Sequence, residues 1–277
     1  MTVMSKAIWT IETRLTQELS LDDVAAVCGV SRYHLSRVFA ASAHMPLTRY
    51  VRGRRLTRAA QALVGGSGDI LSLALDSGYG SHEAFTRAFR EQFGRTPEAL
   101  RARGSLDGIR LMEPLTMDEL LLTDLDAPRY VDLGTFSVAG LCVRYNSANV
   151  AGIPSQWERF APSIGHIPGQ VGHAAYGVIC NGDDEGNYDY IAGVEVADFG
   201  ALSAEWTSVR VPAQRYAVFV HRDHVSTIRR TWYTIWNRWL PESGHVLAEA
   251  PEFERYGEDF DPRTGTGPVE IWISLAR

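Results

Sequence analysis

The chain has 277 residues, of which 45% are hydrophobic and 22% charged, with a formal net charge of −6. That length is enough for two ordinary domains with separate cores, and the composition is that of a soluble globular protein. No apolar run approaches the ~18 residues of a membrane span, and Met1 to Lys6 leads into charge-bearing helical sequence rather than a signal-peptide core. Cys28, Cys142 and Cys180 are widely spaced in apolar surroundings, which predicts core thiols in a reducing compartment. No metal or cofactor is expected, and the expected location is the cytoplasm, with no membrane contact. The charge is unevenly divided. Residues 1–107 hold 14 basic and 10 acidic side chains, and the remainder holds 13 and 23. A basic first part suits a polyanion, because neutralising phosphates releases condensed counterions. An acidic second part repels DNA and favours cationic partners.

In chain order, Ile8, Ile11, Leu15 and Leu19 recur at helical spacing, so residues 6–18 read as an amphipathic helix. Ser20-Leu21-Asp22-Asp23 reads as a capping box, and the helix it starts ends at Gly29. Ser31 caps the next helix. Leu35, Val38 and Phe39 then face the core, while Arg32, Tyr33, Ser36, Arg37 and Ala40 share the opposite, solvent-facing side. Residues 47–64 form a long helix crowded with Arg49, Arg52, Arg54, Arg55 and Arg58, read either as a solvated basic face or as a rigid spacer. Gly65-Gly66-Ser67-Gly68-Asp69 ends it.

The first pattern then returns. Ser31-Arg32-Tyr33-His34-Leu35-Ser36-Arg37-Val38-Phe39 is echoed by Ser81-His82-Glu83-Ala84-Phe85-Thr86-Arg87-Ala88-Phe89. Ala25 and Gly29 precede the first copy as Ala74 and Gly78 precede the second. This is the pattern of two helix-turn-helix units, in which the second helix of each can enter a major groove. Phe85, Ala88 and Phe89 go inward; His82, Glu83, Thr86, Arg87 and Arg90 point out. Candidate DNA-contacting residues are therefore Arg32, Tyr33, Ser36 and Arg37 in one unit and His82, Glu83, Thr86 and Arg87 in the other. Thr96-Pro97-Glu98 starts a last short helix with proline at its first position.

Asp76 to Phe89, followed by Phe93-Gly94-Arg95-Thr96-Pro97, resembles the signature of AraC-type transcriptional regulators, over roughly residues 5–103. The departures are Tyr79 for a usual phenylalanine and Leu100 where tyrosine is common. The resemblance implies that one chain sets two recognition helices into successive major-groove segments of double-stranded DNA. RNA polymerase is then a candidate further partner.

Gly104 to Pro128 reads as a linker with one short helix around Leu120-Leu121-Leu122. From Arg129 strands are expected at 130–133, 136–145, 173–180, 188–196, 206–211, 216–221, 253–256 and 269–275, with helices near 157–160 and 224–240. Strand, helix and two strands thus occur twice, which points to a duplicated α+β unit. Ile228, Trp232, Ile235, Trp236 and Trp239 form one helical stripe, best read as core against the sheet. In the last strand Val269, Ile271 and Ile273 share the helix-covered face, and Glu270, Trp272 and Ser274 the other. An acid beside a tryptophan suits a lipophilic cation.

These strands resemble the GyrI-like effector-binding domain through Tyr190 to Val196, Tyr216 to His221, Trp239-Leu240-Pro241, Phe253-Glu254-Arg255-Tyr256 and Glu270-Ile271-Trp272-Ile273, with Ser274 in place of a usual proline. The resemblance implies a pseudo-twofold pair of modules with a ligand cleft between them, Glu270 as its acidic anchor and Glu195 as a second candidate. Trp272, Tyr145, Tyr188 and Tyr190 are candidate walls.

The expected organisation is multidomain: an all-α double helix-turn-helix domain at 1–104, a linker at 105–128 and an α+β duplicated-module GyrI-like domain at 129–277. The expected function is sequence-specific transcriptional regulation, with a hydrophobic or cationic small molecule sensed by the second domain. Effector-free protein is expected to screen or misplace the Arg-rich face. Two alternatives are a hydrolase of electrophilic small molecules with Glu270 as general base, and a C-terminal domain that contacts another protein.

Overall fold

The computed structural model describes residues 2–66, 69–115, 122–200 and 202–276. Seven helices form the first part: α1 Val3–Thr13, α2 Leu21–Cys28, α3 Arg32–Ala43, α4 Leu47–Val64, α5 Ile70–Asp76, α6 His82–Phe93 and α7 Pro97–Arg103. Local signals set their ends. Ser20 and Asp23 complete a reciprocal capping box, and Gly29 closes α2 at φ 72°. Ser31, Asp69, Ser81 and Thr96 each accept a first-turn amide, starting α3, α5, α6 and α7. The first helix starts and ends earlier than its 6–18 periodicity suggests, because Thr2 caps it.

Helix α4 spans both units. One core gathers Ile11, Val24, Leu35, Val38, Phe39 and Tyr50; the other gathers Leu56, Ala60, Leu63, Phe85, Phe89 and Leu100. Two of its arginines, Arg54 and Arg55, hold protein, while Arg49, Arg52 and Arg58 are exposed. Arg54 forks onto Glu12 at 2.8 and 2.7 Å and also bonds the Met112 carbonyl. Arg55 donates to the carbonyls of Leu15 and Gln17, beyond the end of α1. The helix is thus anchored to its neighbours on one side and presents a solvated basic face on the other. Residues 104–115 lie against the same helix, with Met112 bonded to Thr57 and Leu115 to Tyr50. The expected helix around Leu120 to Leu122 lies mostly outside the described residues; Leu122 itself is not helical.

The second part is one antiparallel sheet of eight strands: β1 Arg129–Leu133, β2 Phe136–Tyr145, β3 Gln170–Cys180, β4 Tyr188–Val196, β5 Thr207–Val211, β6 Gln214–His221, β7 Glu252–Tyr256 and β8 Val269–Leu275. Their order is β1-β6-β8-β7-β3-β4-β2-β5. Helix α8 Ile153–Phe160 follows β2. Helix α9 Ile228–Thr234 follows β6 and continues through a five-residue π turn, Ile235–Trp239, into α10 Leu240–Ser243. The strand-helix-strand-strand unit therefore does occur twice, and the two copies meet where β7 pairs with β3. Two-residue links join β1 to β2 and β5 to β6, yet each link connects opposite ends of the strand order. The sheet must therefore curl, and Ala213 N–H bonds Thr135 Oγ1 where the links meet.

The inside of the curl is packed with Phe136, Tyr176, Tyr216, Phe253 and Trp272. The helices cover the outer face, where Ile271 and Ile273 lie in one core with Trp232, Ile235 and Trp236. Close strand approach makes Gly140 and Gly193 necessary. They sit opposite each other in β2 and β4, and a Cβ on Gly140 would fall 2.0 Å from the Ala192 carbonyl oxygen.

Candidate DNA-reading faces and effector site

In the second helix-turn-helix unit the reading face of α6 is open. Glu83, Arg87 and Arg90 are exposed, and Phe85, Ala88 and Phe89 point inward as the repeat requires. His82 bonds Glu98 on α7 at 3.0 Å, which ties the start of α6 to its neighbour. Glu83 lies in the first turn, where its own backbone amide and Ser81 lower its pKa, so it serves the helix terminus at least as directly as a base. The Thr86 hydroxyl is buried without a partner among the described residues.

The matching face of α3 is not open. Arg32, Tyr33, Ser36 and Arg37 do lie opposite their own core, and Arg32 is exposed as expected, but the expectation that Tyr33, Ser36 and Arg37 face solvent is corrected by the C-terminal domain, which packs over them. Arg32 Nε donates to Asp184 at 2.8 Å. Tyr33 lies over Gly182, and Ala40 meets Gly186. Thr48 at the start of α4 reaches Glu185 at 3.4 Å. Two carboxylates of the acidic domain thus meet the surface expected to face phosphates and bases.

The deepest of these contacts is Arg37. Its guanidinium donates to Glu252 Oε2 at 2.5 Å, with both side chains buried. Its carbon lies 4.7 Å from the ring centre of Trp236, 5.5 Å from Tyr33, 5.6 Å from Tyr188 and 5.8 Å from Trp232. This is an aromatic cage closed by an acid, the arrangement that favours a desolvated cation. His34 Nε2 pairs with the other oxygen of Glu252 at 3.1 Å. Burial would push the Glu252 carboxyl up, but Arg37 and His34 more than offset it and hold the pKa below 4.5. Burial likewise opposes charge on Arg37, and Tyr33 and Glu252 outweigh it. The same interface leaves two polar atoms unsatisfied. Ser36 Oγ and Trp236 Nε1 are buried with no hydrogen-bond partner among the described residues, each costing about 1–3 kcal/mol.

Two residues along β7 on the same face, Glu254 is 6% exposed. Tyr190 OH and Tyr256 OH each donate to its Oε2 at 2.8 Å, and Trp232 Nε1 donates to Oε1 at 2.8 Å. Trp157 from α8 donates in turn to Tyr190 at 3.0 Å. Burial, reinforced by Glu254, holds both phenols far above their usual pKa, so they stay donors. Among the described residues, the partners of this carboxylate are neutral dipoles. It sits between the two module helices, with Trp157 on one side and Trp232 on the other.

The expected ligand residues are divided between two faces. Tyr145, Tyr188 and Tyr190 share the helix face with Glu252 and Glu254 through the β2–β4 register. Glu270, Trp272 and Glu195 lie on the inner face of the curl, opposite the helices. Trp272 is 5% exposed and stacked on Phe253 at 18°. Glu270 is already neutralised by Arg129, at 2.5 Å, and Arg255, at 3.3 Å. Glu195 accepts from Tyr176 at 3.2 Å. Sequence reasoning missed Glu252 and Glu254. The Phe253-Glu254-Arg255-Tyr256 stretch was visible, but alternation along β7 gave no sign that the polar side of that strand would be covered by helices.

Comparison with known proteins agrees with this architecture. Residues 126–276 match the GyrI-like small molecule binding domain, and residues 24–103 match a helix-turn-helix domain. Transcriptional regulator Rob of Salmonella typhimurium is 27% identical over 278 residues, covering 95% of this chain and 93% of that protein. Regulatory protein SoxS of Escherichia coli is 41% identical over 93 residues, 34% of this chain and 87% of that protein. Transcriptional regulator BrlR of Pseudomonas aeruginosa is 29% identical over 209 residues, 70% of this chain and 77% of that protein. The fold and these matches define a DNA-binding regulator with an attached small-molecule domain. The chain belongs to the GyrI-like family and carries its domain behind an AraC-type double helix-turn-helix. No described helix is long and apolar enough to cross a membrane.

Proposed function

We propose that this regulator senses a lipophilic cation, bound between α8 and α9 against Glu254. The observation that carries the reading is a buried carboxylate held by three neutral donors and flanked by Trp157 and Trp232. Such a carboxylate has no cationic partner among the described residues, and its walls are rings whose faces attract cations. A hard, strongly hydrated cation would lose too much on entering; an apolar, charge-delocalised one would not. DNA contact is assigned to Arg32, Tyr33, Ser36 and Arg37 in the first unit and to His82, Thr86 and Arg87 in the second, with Glu83 secondary. The relatives named as transcriptional regulators, Rob and BrlR, support this half of the reading. RNA polymerase is proposed as a further partner, because a protein reading promoter DNA works beside it.

The reading is one of binding without turnover. Three of the roughly four lone-pair sites of the Glu254 carboxylate already accept hydrogen bonds, and a general base needs one directed at water. Titration calorimetry of the full chain with methyltriphenylphosphonium tests both points. Binding should weaken at least about tenfold in Glu254→Gln, the equivalent of about 1.4 kcal/mol, and stay close to wild type in Glu270→Gln. The cation should be recovered intact. Unchanged affinity in Glu254→Gln would overturn the assignment.

A further inference from the structure

The cage around Arg37 resembles a ligand site that already has its ligand. It offers a carboxylate, Glu252, and the rings of Trp232, Trp236 and Tyr188, all from the C-terminal domain. The occupant comes from the DNA-reading helix of the other domain. Trp232 belongs to both sites: its ring borders the Arg37 guanidinium and its indole N–H is bonded to Glu254. Trp236 and Trp232 are also in ring contact, 4.9 Å between centres. A cation seated against Glu254 cannot displace the Trp232 indole without disturbing a wall of the cage.

We propose that Glu252, Trp232, Trp236 and Tyr188 form a second cation-binding site, for guanidinium-like and aromatic cations, whose built-in occupant is Arg37. While Arg37 fills it, the first reading helix is withheld from DNA; when it empties, the helix is released. This rests on the assignment of the α3 face to DNA but not on where an effector binds. Three further features fit a contact made to be broken. The acidic turn that follows β3 supplies Asp184 and Glu185 to Arg32 and Thr48, so carboxylates stand where phosphates would. Ser36 Oγ and Trp236 Nε1 are buried here without partners among the described residues and would both regain hydrogen bonds on separation. The π turn that presents Trp236 also accepts the Met4 amide through Asn237 at 3.3 Å, so α1 would be released with α3.

Two variants of the full chain test this by different routes. Glu252→Gln removes the charge that holds Arg37. Gly182→Ala substitutes none of the cage or reading residues but places a Cβ 1.7 Å from the Tyr33 ring, which must move away. Each is measured for binding to a short mixed-sequence DNA duplex over a salt series, with thermal melting as a check of folding. Both should bind more tightly than wild type, and the log K against log[salt] slope should steepen by about 0.9 for each additional phosphate neutralised. Methyltriphenylphosphonium should produce the same change in wild type and little in the variants. Folded variants whose affinity and slope equal those of wild type would overturn the proposal. If the cation binds without changing DNA affinity in wild type, the link between the sites fails while cation sensing stands. If the variants tighten but no cation binds, the cage stands and the sensing assignment fails.

Discussion

Arg37 and Arg87 occupy equivalent positions in the two copies of one repeat, yet Arg37 is 4% exposed against Glu252 of the other domain and Arg87 is exposed to solvent. Sequence symmetry therefore does not extend to availability. The difference arises outside the repeat, from which copy the acidic domain covers.

Removing one partner of a buried ion pair costs more than the pair itself contributes, because the remaining charge is desolvated and alone. Arg37→Met should therefore leave Glu252 facing His34 only and lower the stability of the full chain by about 3 kcal/mol. The double variant Arg37→Met, Glu252→Gln should recover most of that loss. Denaturant unfolding of the single and double variants measures it, and additive losses would refute the pairing.

The Glu252 pKa is lowered, so its stabilising effect is complete above the ordinary carboxylate value of 4.5 and is lost as pH falls through the lowered value. The melting temperatures of wild type and Glu252→Gln should differ by a constant amount between about pH 6 and pH 8 and converge in acid. A gap that widens on acidification would have the wrong sign.

Burial pushes the Cys28 thiol to about 11 and Cys180 to about 12, whereas Cys142 is half-buried. A thiol-disulfide reagent at neutral pH should label Cys142 first and leave the other two unmodified until unfolding. Mass spectrometry of partially labelled protein reads the order directly.

Gly140 and Gly193 face each other across β2 and β4 with backbone where a side chain would go. Gly140→Ala should destabilise the C-terminal domain by about 3 kcal/mol or prevent its folding, since the atoms in the way are backbone rather than the end of a flexible side chain. Calorimetry of the two transitions, or expression level if it does not fold, measures this.

Much of the architecture was legible because its signals are local. Ser20, Ser31, Ser81, Thr96 and Gly29 mark helix ends through hydrogen bonds within one turn, and the strands alternate in the usual way. The duplicated module was legible for the same reason. The curl of the sheet was not, since it follows from β1 pairing with β6 and β5 with β2, which no single segment encodes. That curl determined the fate of the expected site: Glu270 and Trp272 were placed correctly on a face opposite the helices, but the face closes on itself. Glu254 was hidden by its context, because a glutamate between Phe253 and Arg255 reads as an exposed strand position until α9 is laid over it. The burial of Arg37 was equally out of reach, although the charge division between the domains hinted at its cause.

The most direct test of unequal availability is DNA affinity of the effector-free full chain with each arginine changed in turn, measured on one duplex across a salt series. Arg87→Ala should weaken binding and flatten the salt slope by about 0.9, the share of one phosphate, while Arg37→Ala should not weaken it at all. Equal losses from the two substitutions would mean that both helices already read DNA without effector, and would contradict the account.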